Sequence, residues 1–503
     1  MGVVTGAAAL SGAWDEDRRL ARSPTGRIDT TGDGAHVFWF DELPDKRVRF
    51  VWDGIAGEPF ERVLEQQSGE LLVWSLDDRR VAYYGDRAGR FFVGIDGTEA
   101  GPYDGITRSV PPTFDPTGGH VAFGAYVEGV PVLILDGEIQ GSWRVAPIRP
   151  VFARDGQRMA FVAENRELTP KDSGVGYRQW LIVDGVAIVE ADGISASRDG
   201  IQFSHAGRLA YGLIDGGQFR FVVDGIPGPP IIDANAPTFS PDGLRFAYVA
   251  RIDGGVAAVV DDRRGPTFEQ VGPPVFSPDS RRVAYAAYRP GRRLTVVVDG
   301  HESVDHSDLW GNVEFSPDSR RVAYLAIDRG SGILSRFRTT GRAIVDGSPV
   351  GDAWDEFTST AHFSPDSAHV AFAARRSKDH HMVVDGVAGP PYELVSPPRF
   401  GSTGRLAYVT KAAGQFRIVF DGNAGPPLDE PVEIAPGEGF VISPDGAHIA
   451  AVARVAGGWR PIVDDRIGPP YAGVGRPVFD GHRAIFTGFR SDGVYRVSIP
   501  LED

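Results

Sequence analysis

The stretch Val275-Phe276-Ser277-Pro278-Asp279-Ser280-Arg281-Arg282-Val283-Ala284-Tyr285 decides the fold of this chain. It recurs almost letter for letter from Val313 to Tyr324. Close copies begin at Phe239, Phe363 and Ile442, and worn ones at Phe114, Phe152, Phe203, Phe400 and Phe479. Two more, at Asp29 and Trp74, make twelve. From Val37 to Ala484, the residues opening the strand after each turn are spaced by about 41 positions, the period of a propeller blade.

Each copy reads as a hairpin. Pro presets φ for the Ser-Pro-Asp-Gly or Ser-Pro-Asp-Ser turn, Asp bonds nearby backbone, and Gly accepts positive φ. Val-Ala-Tyr is the second strand. The third is an apolar run such as Val296-Val297-Val298, ending in Asp299-Gly300, a strong hairpin signal. Asp261-Asp262 and Asp464-Asp465 are variants of that ending. Gly-Pro-Pro or Gly-X-Pro often follows, as at Gly228, Gly389, Gly425 and Gly468, and opens an outer strand where a missing donor is tolerated. The expected fold is all-β: a β-propeller of about twelve four-stranded blades. Two six-bladed rings are favoured by the usual size of propellers, with a single twelve-bladed ring as the alternative.

These residues resemble the WD40-like β-propeller repeats of the TolB type, whose mark is Phe-Ser-Pro-Asp-Gly followed by Val-Ala-Phe/Tyr. The resemblance runs from residue 29 to about 497. It implies the fold and leaves the role open. The Val-Val-Asp-Gly and Gly-Pro-Pro-Tyr half departs from that family, as does the lack of a TolB N-terminal domain.

The last repeat lacks a fourth strand. Gly12-Ala13-Trp14-Asp15-Glu16 nearly matches Asp352-Ala353-Trp354-Asp355-Glu356 of an outer strand. Residues 1–27 are therefore expected to donate the closing strand to the last blade. The remainder divides into 28–272 and 273–503, with no linker at the boundary.

Composition narrows the function. The 503 residues are 42% hydrophobic and 24% charged, as in a folded domain. A net charge of -15 makes nucleic acid or anionic lipid an unlikely partner for the whole surface. The absence of cysteine excludes disulfides, thiolate catalysis and cysteine-held metals. No run of 18 apolar residues occurs, and the N-terminus is a poor signal peptide. The expectation is a cytoplasmic bacterial protein with no cofactor.

The recurrent aspartates read as turn chemistry, because a catalytic pair would occur once. His36, His120, His369 and His448 share one repeat position with Arg80, Arg158, Arg245, Arg282 and Arg321, which reads as a solvated strand start. The string from His301 to His306 is one residue too long for a zincin motif and is not helical. His380-His381 reads as an exposed hairpin tip, and Trp143, Trp180, Trp310 and Trp354 read as blade packing.

Departures from the repeat carry more information. One insertion, Glu164 to Arg178, is charge-balanced. Three consecutive loops between second and third strands are basic: Arg289, Arg292 and Arg293; then Arg329, Leu334, Arg336, Phe337, Arg338 and Arg342; then Arg375, Arg376 and Lys378. Arginines interleaved with apolar residues suit an acidic partner surface, although Asp305, Asp308, Asp352 and Glu356 stand near enough to answer them. The expected function is a non-enzymatic scaffold that binds or restrains a protein partner. The alternatives are an enzyme or small-ligand binder using the propeller axis, and nucleic-acid contact through the arginine loops.

Overall fold

The computed structural model describes residues 15–20, 28–31, 35–64, 71–143, 150–165, 178–195, 200–291, 293–329, 339–430, 439–491 and 493–501. Every regular element among them is a β-strand. The strands form twelve antiparallel blade-like sheets, and the protein is an all-β β-propeller. Blades 1 to 6 span 28–56, 62–103, 105–142, 151–191, 193–227 and 233–268. Blades 7 to 12 span 270–302, 308–354, 356–388, 394–424, 440–467 and 473–500.

Blade 7 shows how sequence becomes sheet. Val283–Arg289 is its second strand, and Arg293–Val298 its third, with Ala284 opposite Val298. Asp299 (φ 52°) and Gly300 (φ 81°) make the two-residue turn into His301–Glu302. Both central residues are left-handed, which matches the twist of the flanking strands. The inner strand comes in two pieces. Gln270–Val271 and Val275–Phe276 pair separately with the second strand. Pro273 and Pro274 between them have no N–H to donate, so the ladder breaks there. Blades 3 and 10 break at Pro111-Pro112 and Pro397-Pro398 in the same way.

The second strands are buried on both faces because sheets pack on sheets. Alanine therefore recurs where backbones approach: Ala82, Ala122, Ala160, Ala247, Ala284, Ala371 and Ala407 are all fully buried. The core is a series of layers between neighbouring sheets. Ala284 and Val296 of blade 7 pack with Val313, Phe315, Val322, Tyr324 and Ile344 of blade 8. Each such aliphatic or aromatic side chain contributes about 1.5–3 kcal/mol on full burial.

The chain separates into two compact units. One holds 42–50 and 57–355, with blades 2 to 8 complete inside it. The other holds 1–41, 51–56 and 356–503, with blades 9 to 12 complete. In the second unit, Asp15–Leu20 pairs antiparallel with Gly493–Pro500, from Asp15 opposite Ser498 to Leu20 opposite Val494. The first strand thus forms the outer edge of the last blade, covering backbone groups that would otherwise stand open.

Candidate functional site

The repeated aspartates are the most chemical-looking residues, and the structure gives them a mechanical task. Left-handed φ at Asp299 turns its carboxylate back over the start of the second strand. There it accepts the Val283 N–H at 2.9 Å and the Arg282 Nε–H at 2.8 Å. Among the described residues, eleven blades carry this pair. Arginine supplies it at positions 80, 158, 208, 245, 282, 321 and 405. Histidine supplies it at 36, 120, 369 and 448. The position expected to be a solvated strand start is thus an ion-paired one.

The arginines do more than the histidines. Arg282 also donates to the carbonyls of Ser319 (3.1 Å) and Arg320 (2.8 Å) in blade 8, and lies 5.2 Å from the Phe315 ring. Arg80, Arg158 and Arg245 repeat this reach into the next turn and over Phe114, Phe203 and Phe276. These groups staple consecutive blades. The Ser-Pro-Asp turns bond both within themselves and to the next blade. The Ser277 hydroxyl donates to Asp279 at 2.6 Å, and with the backbone N–H of Arg281 it holds that carboxyl below its usual range. Ser319 Oγ of the next blade accepts the Asp279 N–H at 2.8 Å.

In the arginine loops, local acids answer several charges. Arg289 pairs with Glu302 and, at 2.8 Å, with Asp305, which also takes Arg293 at 3.0 Å. Arg375 pairs with Glu356 at 2.5 Å. Arg342, Arg376 and Lys378 are exposed. Arg292, Leu334, Arg336, Phe337 and Arg338 lie outside the described residues, as does the side chain of Arg329.

The His301–His306 string is dispersed. His301 is exposed, Glu302 and Asp305 hold Arg289, and His306 is buried with Nδ1 3.3 Å from Asp328. Among the described residues no cluster of His, Asp or Glu could hold a metal ion. His380 and His381 are not at a hairpin tip. Arg376 pairs with Asp379, so the tip is Ser377-Lys378, and both histidines lie within the strand Asp379–Val384. Ser377 takes the left-handed φ there (57°), which moves the turn earlier than the charge pattern implies.

A different place offers a binding surface. Blades 3 and 4, both inside the larger unit, leave between them an open groove of about 630 Å³. Blade 3 contributes Gly129, Val130, Pro131, Ser142 and Trp143. Blade 4 contributes Ala163, Trp180, Ile182 and Ala187. The Trp143 N–H donates to Pro131 O at 3.1 Å, and its ring meets Phe161 edge-on at 5.2 Å. Gly141 (φ 155°) makes that ring position possible, because a Cβ there would come 2.6 Å from the indole. Trp180 stands opposite Ala163 on one side and Glu190 on the other. Ala163 and Trp180 are at the base of the 164–178 insertion, whose residues 166–177 lie outside the described residues.

Among the described residues no titratable side chain lines the groove, and Ser142 supplies the one side-chain hydroxyl. The described lining is apolar and aromatic. The margin is acidic. Glu128 is exposed beside Gly129, and Glu190 and Asp192 share the Arg178 guanidinium at 2.9 and 3.0 Å. These two carboxylates raise the Arg178 pKa above its ordinary value. Sequence reasoning read both tryptophans as blade packing. Trp354 is fully buried, and Trp143 and Trp180 also pack against the core between blades 3 and 4, but they are only partly covered and line the groove as well. The signal legible in sequence was that Trp180 stands two residues past the insertion; the placing of Trp143 and Ala187 beside it is tertiary.

No family model and no curated protein matches the chain. Among solved structures, it is similar to a eukaryotic initiation factor, with TM-score 0.35 and 13% identity over 71% of this chain and 95% of that one. It is also similar to the β-propeller domain of the trilobed protease from Pyrococcus furiosus, with TM-score 0.28 and 11% identity over 62% and 93%. A third similarity is to the tricorn protease, with TM-score 0.28 and 12% identity over 87% and 52%. These likenesses are distant ones of propeller fold and assign no family; the twelve sheets themselves establish the architecture.

Proposed function

We propose that this chain is a non-enzymatic β-propeller scaffold of TolB-like repeats that binds a protein partner. The groove between blades 3 and 4 receives an apolar side chain of that partner. The carrying observation is an open aromatic groove between two blades, with no acid or base among the described residues of its lining. Partly covered tryptophans in a concave surface are the type of residue on which binding energy concentrates. The groove is preferred to the arginine loops because Arg289, Arg293 and Arg375 already have carboxylate partners, and exposed charge pairs add little to affinity.

Seating one leucine or phenylalanine there contributes about 1.5–3 kcal/mol, or about 10- to 150-fold in Kd. The test is selection of displayed random peptides on the wild-type protein, followed by measurement on Ala187→Trp, which fills the groove, and on Trp180→Ala. The expected result is a shared apolar anchor among the selected peptides and a loss of at least about tenfold in both variants. Undiminished binding to both variants removes the groove from the proposal.

A further inference from the structure

The outer strand of blade 4 differs from every other outer strand. Six of the twelve are two residues long: Ile55–Ala56, Ile226–Pro227, His301–Glu302, Val387–Ala388, Asn423–Ala424 and Arg466–Ile467. Four contain Gly or Pro: Thr98–Tyr103, Glu138–Ser142, Arg263–Phe268 and Ser348–Trp354. Asp15–Leu20, with the sequence DEDRRL, is almost wholly charged. Shortness, proline and charge are the devices by which proteins keep sheet edges from recruiting other chains.

Val186–Ala191 is neither short nor interrupted by Gly or Pro, and its single charge, Glu190, is held by Arg178. Its sequence is VAIVEA, it runs for six residues, and among the described residues no strand pairs with it beyond the third strand of its sheet. Val186 is 62% and Ile188 50% exposed. A bulge at Ile188 interrupts the pairing with the third strand, with Val186 and Ala187 paired before it and Val189 after it.

We infer that Val186–Ala191 is a strand-addition site for an extended apolar segment of a protein partner with basic flanks. The inference rests on the groove reading above and adds its backbone half. Ala187 belongs to both features, being an edge-strand residue and part of the groove lining. A strand hydrogen-bonded to this edge continues the face that Ala187, Ile182 and Trp180 present to the groove. The short Ala187 side chain leaves alternate side chains of the added strand room to lean toward the tryptophans. Main-chain bonds then supply affinity and the pocket supplies selectivity.

Charge sets the flanks. Glu190 and Asp192 share the single cation Arg178, and Glu128 is exposed, so these described carboxylates outnumber their cation and favour positive charge. A second copy of this chain, at net charge -15, meets repulsion instead.

The test uses the full chain and a fluorescent octapeptide alternating valine and lysine. Binding is read by polarisation, and amide hydrogen exchange is followed over 186–191. The expected result is binding with slowed exchange at 186–191, and a loss of at least about tenfold when alternate peptide amides are N-methylated or lysine is replaced by glutamate. If N-methylation changes nothing while Ala187→Trp still abolishes binding, strand addition fails and the groove stands. If N-methylation abolishes binding while Trp180→Ala and Ala187→Trp do not, strand addition stands and the groove anchor fails. No binding of the parent peptide, or equal binding of the glutamate version, overturns the inference. Concentration-dependent dimerisation that protects 186–191 without peptide assigns the edge to a second copy and also overturns it.

Discussion

Replacing Arg282 by alanine should loosen the seam between blades 7 and 8 far more than an ordinary surface substitution. Three contacts go at once. The ion pair to Asp299 is about two-thirds covered on the arginine side (30% exposed) and, as a surface pair, is worth about 0.2–1 kcal/mol. The two charged hydrogen bonds to the Ser319 and Arg320 carbonyls, partly wetted, contribute about 1 kcal/mol together or somewhat more. The guanidinium over the Phe315 ring adds about 0.5–1 kcal/mol. The sum is about 2–3 kcal/mol, or about 30- to 150-fold in a local opening constant. Global melting is a poor readout for a chain of repeats, whose units open separately. Amide hydrogen exchange over 316–329 reads this seam directly. Arg282→His keeps a partner for Asp299 but cannot reach the next turn, and should fall between alanine and wild type. Arg281→Ala, at the exposed neighbour, is the control. If Arg282→Ala accelerates exchange no more than Arg281→Ala, the stapling mechanism is wrong.

Three further outcomes are expected. Ser277→Ala removes the hydroxyl that, first among its causes, lowers the Asp279 pKa. A depressed carboxyl contributes stability that is present above its unfolded pKa and lost as pH falls through the folded value, so in the variant the contribution is smaller and its loss is complete at a higher pH; a carboxyl NMR titration should show the Asp279 pKa raised. Gly156→Ala brings a Cβ 2.0 Å from the Oδ2 of buried Asp115, whereas Gly89→Ala, at a similar φ, meets nothing within 4 Å. Both strain the backbone, and the Gly156 variant should cost about 1–3 kcal/mol more by denaturant titration; equal costs contradict the close approach of blades 3 and 4. Deleting residues 1–20 bares the edge of Gly493–Pro500, and light scattering should show association on warming that the full chain resists.

Much of the fold was legible because propeller blades are made of local chemistry. The Ser-Pro-Asp turn, the Val-Ala-Tyr strand and the Asp-Gly hairpin each lie within a few residues, and their φ values follow from residue type. Twelve copies of that chemistry mean twelve sheets, and the recurrence of Asp, Arg and His marks them as parts of the frame. The break of the inner strand was also readable in the paired prolines, once their missing donors are counted.

What the turns touch was decided only in three dimensions. Arg282 meets carbonyls 37 and 38 residues downstream, and nothing in its own repeat tells an arginine that staples from one that merely faces water. Gly156 looks like any left-handed turn glycine, yet its lack of a Cβ makes room for the Asp115 carboxylate of the preceding blade. Sequence places Asp305 and Glu356 near enough to answer the arginine loops, and folding chooses the pairs, Glu302 and Asp305 with Arg289, Asp305 with Arg293, and Glu356 with Arg375. Trp143 and Trp180 become a receptor only when two sheets stack with a small residue at 187 between them. Strand and turn depend on neighbours along the chain, which the sequence displays. A groove, a staple or an answered charge depends on distances between side chains dozens of residues apart, and packing alone sets those.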